Sequence, residues 1–213
     1  MFSKFHLLVK NSALVDVFGN TISDAGVGID SVNNAFTTTG NKYIQINNGA
    51  HTFGPTENFT IYAWVKCNSS KLLPILLGTG VGGQGLMVGD SYYTDGVQFD
   101  YTSYGNKAVI NYCTTMRNGL YNNVVLCKNQ NSLVLYVNGK NVYNVSIVSL
   151  TITFSNSIVG WDGSMPDRYS DYSIKEIGMY DKCLFNKDFT PSLYQLINMR
   201  VYKDLFGKLF GYK

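Results

Sequence analysis

Two loops of this chain place aromatic side chains next to short polar and acidic ones, a composition typical of protein sites that contact sugars. An aromatic ring stacks on the apolar face of a sugar, and nearby amide, hydroxyl and carboxylate groups pair with the sugar hydroxyls. The loops run over residues 89–95 and 160–172. The predicted carbohydrate-binding side chains are Tyr92, Tyr93, Trp161, Asp162, Tyr169 and Tyr172. Because the chain has 16 tyrosines, edge-strand tyrosines and a loop that covers the core remain an open alternative.

The residues needed for catalysis are scarce. Glycan-cleaving enzymes use paired carboxylates, and the only two glutamates, Glu57 and Glu176, do not have the spacing of a pair on one strand face. The two histidines are His6, in the first predicted strand, and His51, in a predicted turn. Neither stands beside a G-x-S-x-G nucleophile motif. We therefore expect a protein that is not an enzyme and that needs no organic cofactor.

Aspartates in the same two loops are candidate ligands for calcium. Asp90 with Asp95, or Asp162 with Asp167, could supply the oxygen atoms that this ion prefers. Neither loop has the dense alternation of acids seen in a strong calcium motif. A structural calcium ion is therefore an open expectation, and the sequence does not identify a metal.

The four cysteines lie far apart and show no metal-binding spacing. They are Cys67, Cys113, Cys127 and Cys183, mostly at predicted strand positions. With no C-x-x-C pair and only two histidines, a zinc site is not indicated. We expect free, partly buried thiols in a protein assembled in a reducing cytoplasm.

Composition indicates one main all-β domain. Of the 213 residues, 45% are hydrophobic, 14% aromatic and 15% charged, and glycine and tyrosine are abundant. The net charge of +3 is mild and the basic residues are scattered, so neither a nucleic acid nor a membrane surface is an expected partner. The apolar stretches have the length of strands, and the first ten residues lack a signal-peptide pattern.

Period-2 alternation predicts several short strands. Residues 59–66 alternate between two faces, and Leu133, Leu135 and Val137 share one face of a later strand. Asn138 and Gly139 follow directly and predict a tight hairpin, because both residues tolerate a positive φ. The glycine-rich residues 78–85 predict a second hairpin loop, since they lack the spacing of a phosphate-binding loop. Regular short strands of this kind are typical of a two-sheet antiparallel sandwich.

After Pro191 the period of the apolar residues changes from that of a strand to that of a helix. An amphipathic helix is predicted over residues 192–210, within a tail of residues 192–213. The apolar residues predicted to form a subunit interface are Leu193, Leu196, Ile197, Val201, Leu205, Phe206 and Leu209. Packing of this helix on its own sandwich is the alternative.

Three segments resemble the strands of laminin-G-like domains in the concanavalin-A superfamily. They are residues 59–65 (F-T-I-Y-A-W-V), 133–139 (L-V-L-Y-V-N-G) and 174–184 (I-K-E-I-G-M-Y-D-K-C-L). Lys175 stands where the family pattern has an acid, and Glu176 is kept. The resemblance implies an all-β, two-sheet antiparallel jelly-roll sandwich over residues 1–191, followed by the helical tail.

A subset of these domains, found in bacteriophage virion proteins, is similar at three further segments. They are residues 6–9 (H-L-L-V), 16–21 (D-V-F-G-N-T) and 188–191 (D-F-T-P). This resemblance implies a non-enzymatic virion structural protein, assembled in the host cytoplasm, that works as a decoration, fibre-associated or tail appendage component and could contact host glycans. The implied partners are other virion subunits and further copies of the chain. A free lectin or a cell-surface adhesin is the alternative.

Overall fold

The computed structural model describes residues 3–68, 75–80, 84–89, 95–101, 110–147, 151–161, 163 and 169–191. Within these residues the chain forms eighteen β-strands and no helix. In chain order the strands are β1 Ser3–Lys10, β2 Ala13–Asp16, β3 Thr21–Asp24, β4 Gly28–Asp30, β5 Ala35–Thr37, β6 Ile44–Asn47, β7 His51–Phe53, β8 Phe59–Cys67, β9 Ile75–Gly78, β10 Gly85–Val88, β11 Gly96–Asp100, β12 Ile110–Cys113, β13 Asn122–Asn129, β14 Ser132–Val137, β15 Lys140–Ser146, β16 Ile152–Phe154, β17 Ser157–Val159 and β18 Tyr172–Tyr180.

The described strands form two large antiparallel sheets and one small one. The first large sheet has the order β15-β14-β13-β8-β18-β1-β2, with β5 also paired to β18 and β4 paired to β5. The second has the order β12-β11-β10-β9-β17-β6-β3. Strands β7 and β16 form a separate two-stranded sheet. These antiparallel pairings confirm the all-β sandwich, whereas the predicted tail helix, 192–213, lies outside the described residues.

The main hydrophobic core lies between the two large sheets. Alternate side chains of the central strand β8, from Phe59 to Cys67, point into it, and Leu77 and Phe99 reach it from the second sheet. This arrangement follows from the pleat, which sends every second side chain of a strand to the same face. Burial of these aliphatic and aromatic side chains is the main stabilising contribution to the sandwich.

A second apolar cluster lies on the other face of the first large sheet. This outer-face cluster consists of Tyr62, Val125, Cys127, Val134, Tyr136, Tyr180 and Phe185. Residues 181–191, which we call the closing segment, run over it after β18. Phe185 stacks on Tyr62 with the ring centroids 6.1 Å apart, and on Phe189 at 4.1 Å. The first sheet is therefore buried on both faces over part of its area.

Hydrogen bonds hold the closing segment near both of its ends. Near its start, the Thr60 hydroxyl donates to the Lys182 carbonyl over 2.6 Å and accepts from the Leu184 amide over 3.0 Å. Near its end, the Asp188 carboxylate accepts from the Asn141 amide, and the Phe189 amide donates to the Gly139 carbonyl. The segment D-F-T-P thus attaches the chain to the β14–β15 hairpin.

The predicted hairpin turn is confirmed. Asn138 and Gly139 have φ angles of 50° and 78°, and β14 and β15 pair directly on either side of them. The glycine-rich hairpin is confirmed as well, because β9 and β10 pair antiparallel. The prediction that His51 lies in a turn is wrong, since His51 begins β7 and pairs with Phe154 of β16. The described residues contain no helix of the length and hydropathy needed to cross a bilayer.

Candidate functional site

Three aromatic rings meet at one end of the second large sheet. Trp161 and Tyr169 stack almost in parallel, with an interplanar angle of 11° and a centroid distance of 5.2 Å. Tyr43 packs against both, 4.9 Å from Trp161 and 6.2 Å from Tyr169. All three side chains are half-buried. We call this group, Tyr43, Trp161 and Tyr169, the aromatic shelf.

Strand register brings the shelf together. Ile44 of β6 pairs with Val159 of β17, so the residues just beyond this pair, Tyr43 on one strand and Gly160 with Trp161 on the other, lie side by side. Tyr169 lies beside them because the amide of the next residue, Ser170, donates to the Gly160 carbonyl over 2.9 Å.

Gly160 is the residue that permits this close packing. Its φ is +92°, in the left-handed region that favours glycine. A Cβ atom at this position would lie 2.8 Å from the Thr38 methyl group. Thr38 is buried, and its hydroxyl is 2.8 Å from that of Ser170. The support beneath the shelf is therefore packed and hydrogen-bonded.

Polar side chains lie near the shelf residues in the sequence, with Thr39 before Tyr43 and Asp171 after Tyr169, and are joined by Asn68 just after the end of β8. The Thr39 hydroxyl donates to Asp171 over 2.9 Å, and the Asn68 amide group is within 3.4 Å of the same carboxylate oxygen. Asn68 also pairs with the Ser173 hydroxyl. Aromatic rings beside carboxylate, amide and hydroxyl groups are the elements of a sugar-binding surface.

One predicted member of the site is wrong. Tyr172 is 1% exposed, and its hydroxyl donates to the Val88 carbonyl over 2.6 Å. As the first residue of β18, it points into the core between the sheets and cannot stack on a ligand at the surface. The neighbouring Asp171 and Ser173 face the other way, as alternation along a strand requires.

The structure brings together two predicted residues, Trp161 and Tyr169, and adds Tyr43, which the sequence did not single out. The signal for Tyr43 was the strand pattern of residues 41–46, which does not show that its neighbour is the loop after β17. Tyr92, Tyr93 and Asp162 lie outside the described residues.

The candidate calcium ligands are mostly beyond the described residues too. Asp90, Asp162 and Asp167 fall there, and only Asp95 is described. Its carboxylate contacts Arg117, with 3.6 Å to the guanidinium Nε and 3.1 Å to the backbone amide. Among the described residues, no group of three or more His, Cys, Asp or Glu side chains is arranged to hold a metal ion.

His6, the histidine predicted to lie in a strand, belongs to a buried polar network on the outer face of the first sheet. His6 Nε2 is 3.1 Å from the Glu176 carboxylate, and its Nδ1 is 2.6 Å from the Tyr180 hydroxyl. Tyr62 adjoins this group, and burial followed by the Glu176 charge raises the pKa of its phenol. His6 and Glu176 are fully buried. The network therefore has the residue types of an acid–base site without access for a substrate.

A polar cleft of about 510 Å³ lies elsewhere, beside the loop that precedes β8. Its lining includes His51, Glu57 and Asp181. The loop is held from within by Lys128, a fully buried side chain whose amine donates to the carbonyls of Gly54 and Pro55 over 2.9 Å. Burial lowers the pKa of this amine. The cleft has no aromatic shelf, so it is the weaker candidate for sugar contact.

The expectation of free thiols is confirmed for the cysteines that the structure describes in full. Cys67 and Cys127 are buried, Cys183 is half-buried, and none of the three is in a disulfide. Cys67 faces the main core, whereas Cys127 and Cys183 belong to the outer-face cluster or pack against it.

The described fold is similar to solved receptor-binding domains of botulinum neurotoxins. The domain of the C/D mosaic serotype has a TM-score of 0.61 at 17% identity, with 95% of this chain and 51% of that chain covered. The domain of neurotoxin D has a TM-score of 0.57 at 18% identity, with 96% and 53% covered. At this level of identity, the likeness concerns the fold.

Two related sequences come from phages. The non-toxic nonhemagglutinin type D of Clostridium botulinum D phage is 23% identical over 176 residues, and the type C protein of Clostridium botulinum C phage is 24% identical over 178 residues. Each alignment covers 81% of this chain and 14% of the relative. The chain therefore corresponds to a small part of these longer proteins.

A family model covers most of the described sandwich. It is a laminin G model, described as the concanavalin A-like lectin/glucanases superfamily, and it matches residues 38–188. The match includes β6 to β18, and therefore most strands of both large sheets and the whole aromatic shelf. On this match, which extends over more than half of the sequence, the chain belongs to the laminin G family of the concanavalin A-like lectin/glucanases superfamily.

Proposed function

We propose that this chain is a non-enzymatic carbohydrate-binding module that contacts glycans through the aromatic shelf. The observation that carries the proposal is the stack of Trp161 on Tyr169, braced by Tyr43 and left half-exposed at the end of the sheet. Two residues after Tyr169, Asp171 carries a carboxylate, bonded to Thr39 and near Asn68, of the kind that pairs with sugar hydroxyls. Rigid rings held by packing lose little conformational entropy on binding.

The positions of the two glutamates support binding rather than cleavage. Glycosidases hold two carboxyl groups roughly 5–10 Å apart across the scissile bond. Glu176 is buried and pairs across the sheet with Trp64, whereas Glu57 precedes β8. The six strand residues from Phe59 to Trp64 alone span about 17 Å. The two glutamates are therefore too far apart to act on one bond.

The solved neighbours support glycan contact by analogy. One binding domain of neurotoxin DC was solved in complex with SialylT, at a TM-score of 0.56 and 15% identity. Another was solved in complex with rat synaptotagmin II, at a TM-score of 0.56 and 16% identity. Each of these chains is about twice the length that this chain covers. We therefore propose sialylated glycans as the first class of ligand to test.

We further propose that the module works on a virion, as a decoration, fibre-associated or tail appendage protein present in many copies. The resemblance of three segments to phage virion proteins and the two relatives from phages support this placement. Multiple copies would strengthen weak contacts with single glycans. Mass spectrometry of purified phage particles tests it: peptides of this chain at a fixed ratio to capsid protein are expected, and their absence from particles would contradict it.

The second candidate is a free receptor-binding lectin or adhesin. It is favoured by the solved neighbours, which are receptor-binding domains of toxins. In that case the chain would be found apart from particles and would still bind glycans. The particle analysis therefore separates the two placements, while glycan binding is common to both.

A glycan array with matched variants tests the shelf. Replacing Trp161 by Ala should lower the affinity about fivefold, because stacking on an aromatic ring contributes on the order of 1 kcal/mol. Trp161→Phe should retain most of the binding. Tyr101→Ala, which removes a half-buried ring stacked on Phe99 at 6.2 Å, is the control for loss of an aromatic side chain. Unchanged binding by Trp161→Ala would exclude the shelf as the site.

A further inference from the structure

Two thiols from distant parts of the sequence meet in the outer-face cluster. Cys127 lies in β13 and is fully buried, whereas Cys183 lies in the closing segment and is half-buried. Cys183 packs against the cluster to which Cys127 belongs, and its thiol donates to the Phe185 carbonyl over 3.1 Å. The sugar-binding proposal gives neither of them a role.

Thr60 explains why the two cysteines meet. Across the sheet, Cys127 pairs with Thr60, and the Thr60 hydroxyl lies 3.3 Å from the Cys127 sulfur. The same hydroxyl holds the carbonyl of Lys182 and the amide of Leu184, the two neighbours of Cys183 in the chain. One threonine thus fixes both cysteines on the same side of the sheet.

The two sulfur atoms differ in their environment. The neighbouring Cys127 thiol lowers the pKa of the Cys183 thiol, while burial raises the pKa of the Cys127 thiol. Cys183 is also the more exposed of the two. It is therefore the sulfur that a reagent from solvent meets first and the better source of a thiolate nucleophile.

We propose that Cys127 and Cys183 form a modification site, a thiol pair that a small-molecule disulfide such as oxidised glutathione converts into an intramolecular disulfide. The Cys183 thiolate attacks one sulfur of the oxidant and forms a mixed disulfide, and one glutathione leaves. Cys127 then releases its proton, attacks the Cys183 sulfur and expels the second glutathione. Overall, two protein thiols and one oxidised glutathione give one protein disulfide and two reduced glutathiones.

The consequence is a covalent bond between β13 and the closing segment. The chain would be reduced in a glutathione-rich cytoplasm and linked after it reaches an oxidising medium. The bond closes a loop of residues 127–183, and a loop of this length restricts the unfolded chain substantially. The disulfide should raise the melting temperature by on the order of 5–10 °C.

Peptide mapping of the full chain after equilibration in glutathione buffers of graded redox potential tests the site. We expect the intact mass to fall by about two hydrogens and a cross-linked peptide that joins Cys127 to Cys183. The melting temperature should rise in the oxidised protein and return to its original value with dithiothreitol. Oxidation that links other cysteines, or that stops at a glutathione adduct on Cys183, would overturn the proposal.

Two serine variants serve as controls. Cys183→Ser should abolish both the cross-linked peptide and the rise in melting temperature. Cys67→Ser should leave both unchanged, because Cys67 lies in the main core and its thiol is 3.7 Å from the Val88 carbonyl. If Cys183→Ser destabilises the reduced protein, the Cys67→Ser protein still tests the proposal, since a disulfide must form in it. The same rise in melting temperature in the Cys183→Ser protein would contradict the assignment.

Discussion

His6, Glu176 and Tyr180 form a set of polar side chains that are buried and satisfy one another. His6 has a partner on each ring nitrogen, the Glu176 carboxylate at 3.1 Å and the Tyr180 hydroxyl at 2.6 Å. When the imidazole is neutral, Nε2–H donates to the carboxylate and Nδ1 accepts from the hydroxyl. Loss of one partner removes a hydrogen bond from buried polar atoms, which costs more than the bond contributes.

A double-mutant cycle measures this dependence. His6→Phe and Glu176→Leu should each lower the free energy of unfolding by about 2–3 kcal/mol, because each removes a hydrogen bond from a fully buried polar partner. The double variant should be at least about 1 kcal/mol more stable than the sum of the single changes implies. Urea unfolding followed by circular dichroism gives the three values. Strict additivity would mean that the two side chains do not act as a unit.

The individual residues of the shelf show what sequence alone reveals about a site. Trp161 and Tyr169 stood out because they share a short polar loop. Tyr43 is separated from them by more than a hundred residues, and the pairing of β6 with β17 brings it there. Tyr172 lies in the same loop sequence but begins β18, so strand alternation turns it into the core. Composition identifies candidate side chains, whereas pairing and alternation decide which of them reach the surface.

At the scale of elements, the attachment of the closing segment to the β14–β15 hairpin depends on a glycine. Gly139 has a φ of +78°, and a Cβ atom there would lie within 2.8 Å of Pro191 and still closer to the Phe189 carbonyl. Gly119 has a similar φ of +74° but no atom within 4 Å of its Cβ position. The two glycines therefore share the conformational requirement and differ in crowding.

Comparison of two alanine variants separates the energetic cost of crowding at Gly139 from the cost of the positive φ. Gly119→Ala should cost about 1 kcal/mol, since alanine is strained at a positive φ. Gly139→Ala should cost about 1–3 kcal/mol more, because the closing segment must also move away from the hairpin. Thermal or urea unfolding supplies both values. Equal losses would show that the contact between the hairpin and residues 189–191 adds little.

The Asp188 carboxylate gives the same attachment a dependence on pH. The hydrogen bond from the Asn141 amide, followed by that from Lys140, holds the pKa of Asp188 below its ordinary value. Its stabilising contribution is therefore present above about pH 4 and is lost as the pH falls through the lower pKa of the folded state. Asp188→Asn should show a smaller loss of melting temperature between about pH 4 and pH 2 than the wild type. Identical pH profiles would contradict this role.

Elements formed by neighbouring residues were predictable, and those formed across long separations were not. The Asn138–Gly139 turn and the strand β8 follow from local patterns of turn residues and alternation. The strand β7 was missed because Gly54 and Pro55 follow it and resemble a turn. It exists because it pairs with β16, about a hundred residues later in the sequence. Long-range pairing of this kind leaves no mark in the local sequence.

For the whole molecule, we expect the predicted tail helix to form the interface through which the chain joins an assembly. Its apolar face, which includes Leu196 and Leu205, lies outside the described residues, so its role stays a prediction. Replacing both leucines by Gln should convert a defined oligomer into a monomer, with the melting temperature of the sandwich unchanged. Light scattering at several concentrations measures the mass. A monomeric wild type, or a variant that unfolds, would favour packing of the tail on its own sandwich.

Sugar binding at the aromatic shelf is tested most directly by using the two tryptophans as separate fluorescence reporters. In Trp64→Phe, Trp161 on the shelf remains; in Trp161→Phe, only Trp64 remains, on the outer face with its Nε1 donating to Tyr62. Each variant is titrated with the strongest glycan from the array while tryptophan emission is recorded. We expect a saturable change in the Trp64→Phe protein and none in the Trp161→Phe protein. Binding that changes only the emission of Trp64, or of neither tryptophan, would contradict a sugar site on the aromatic shelf.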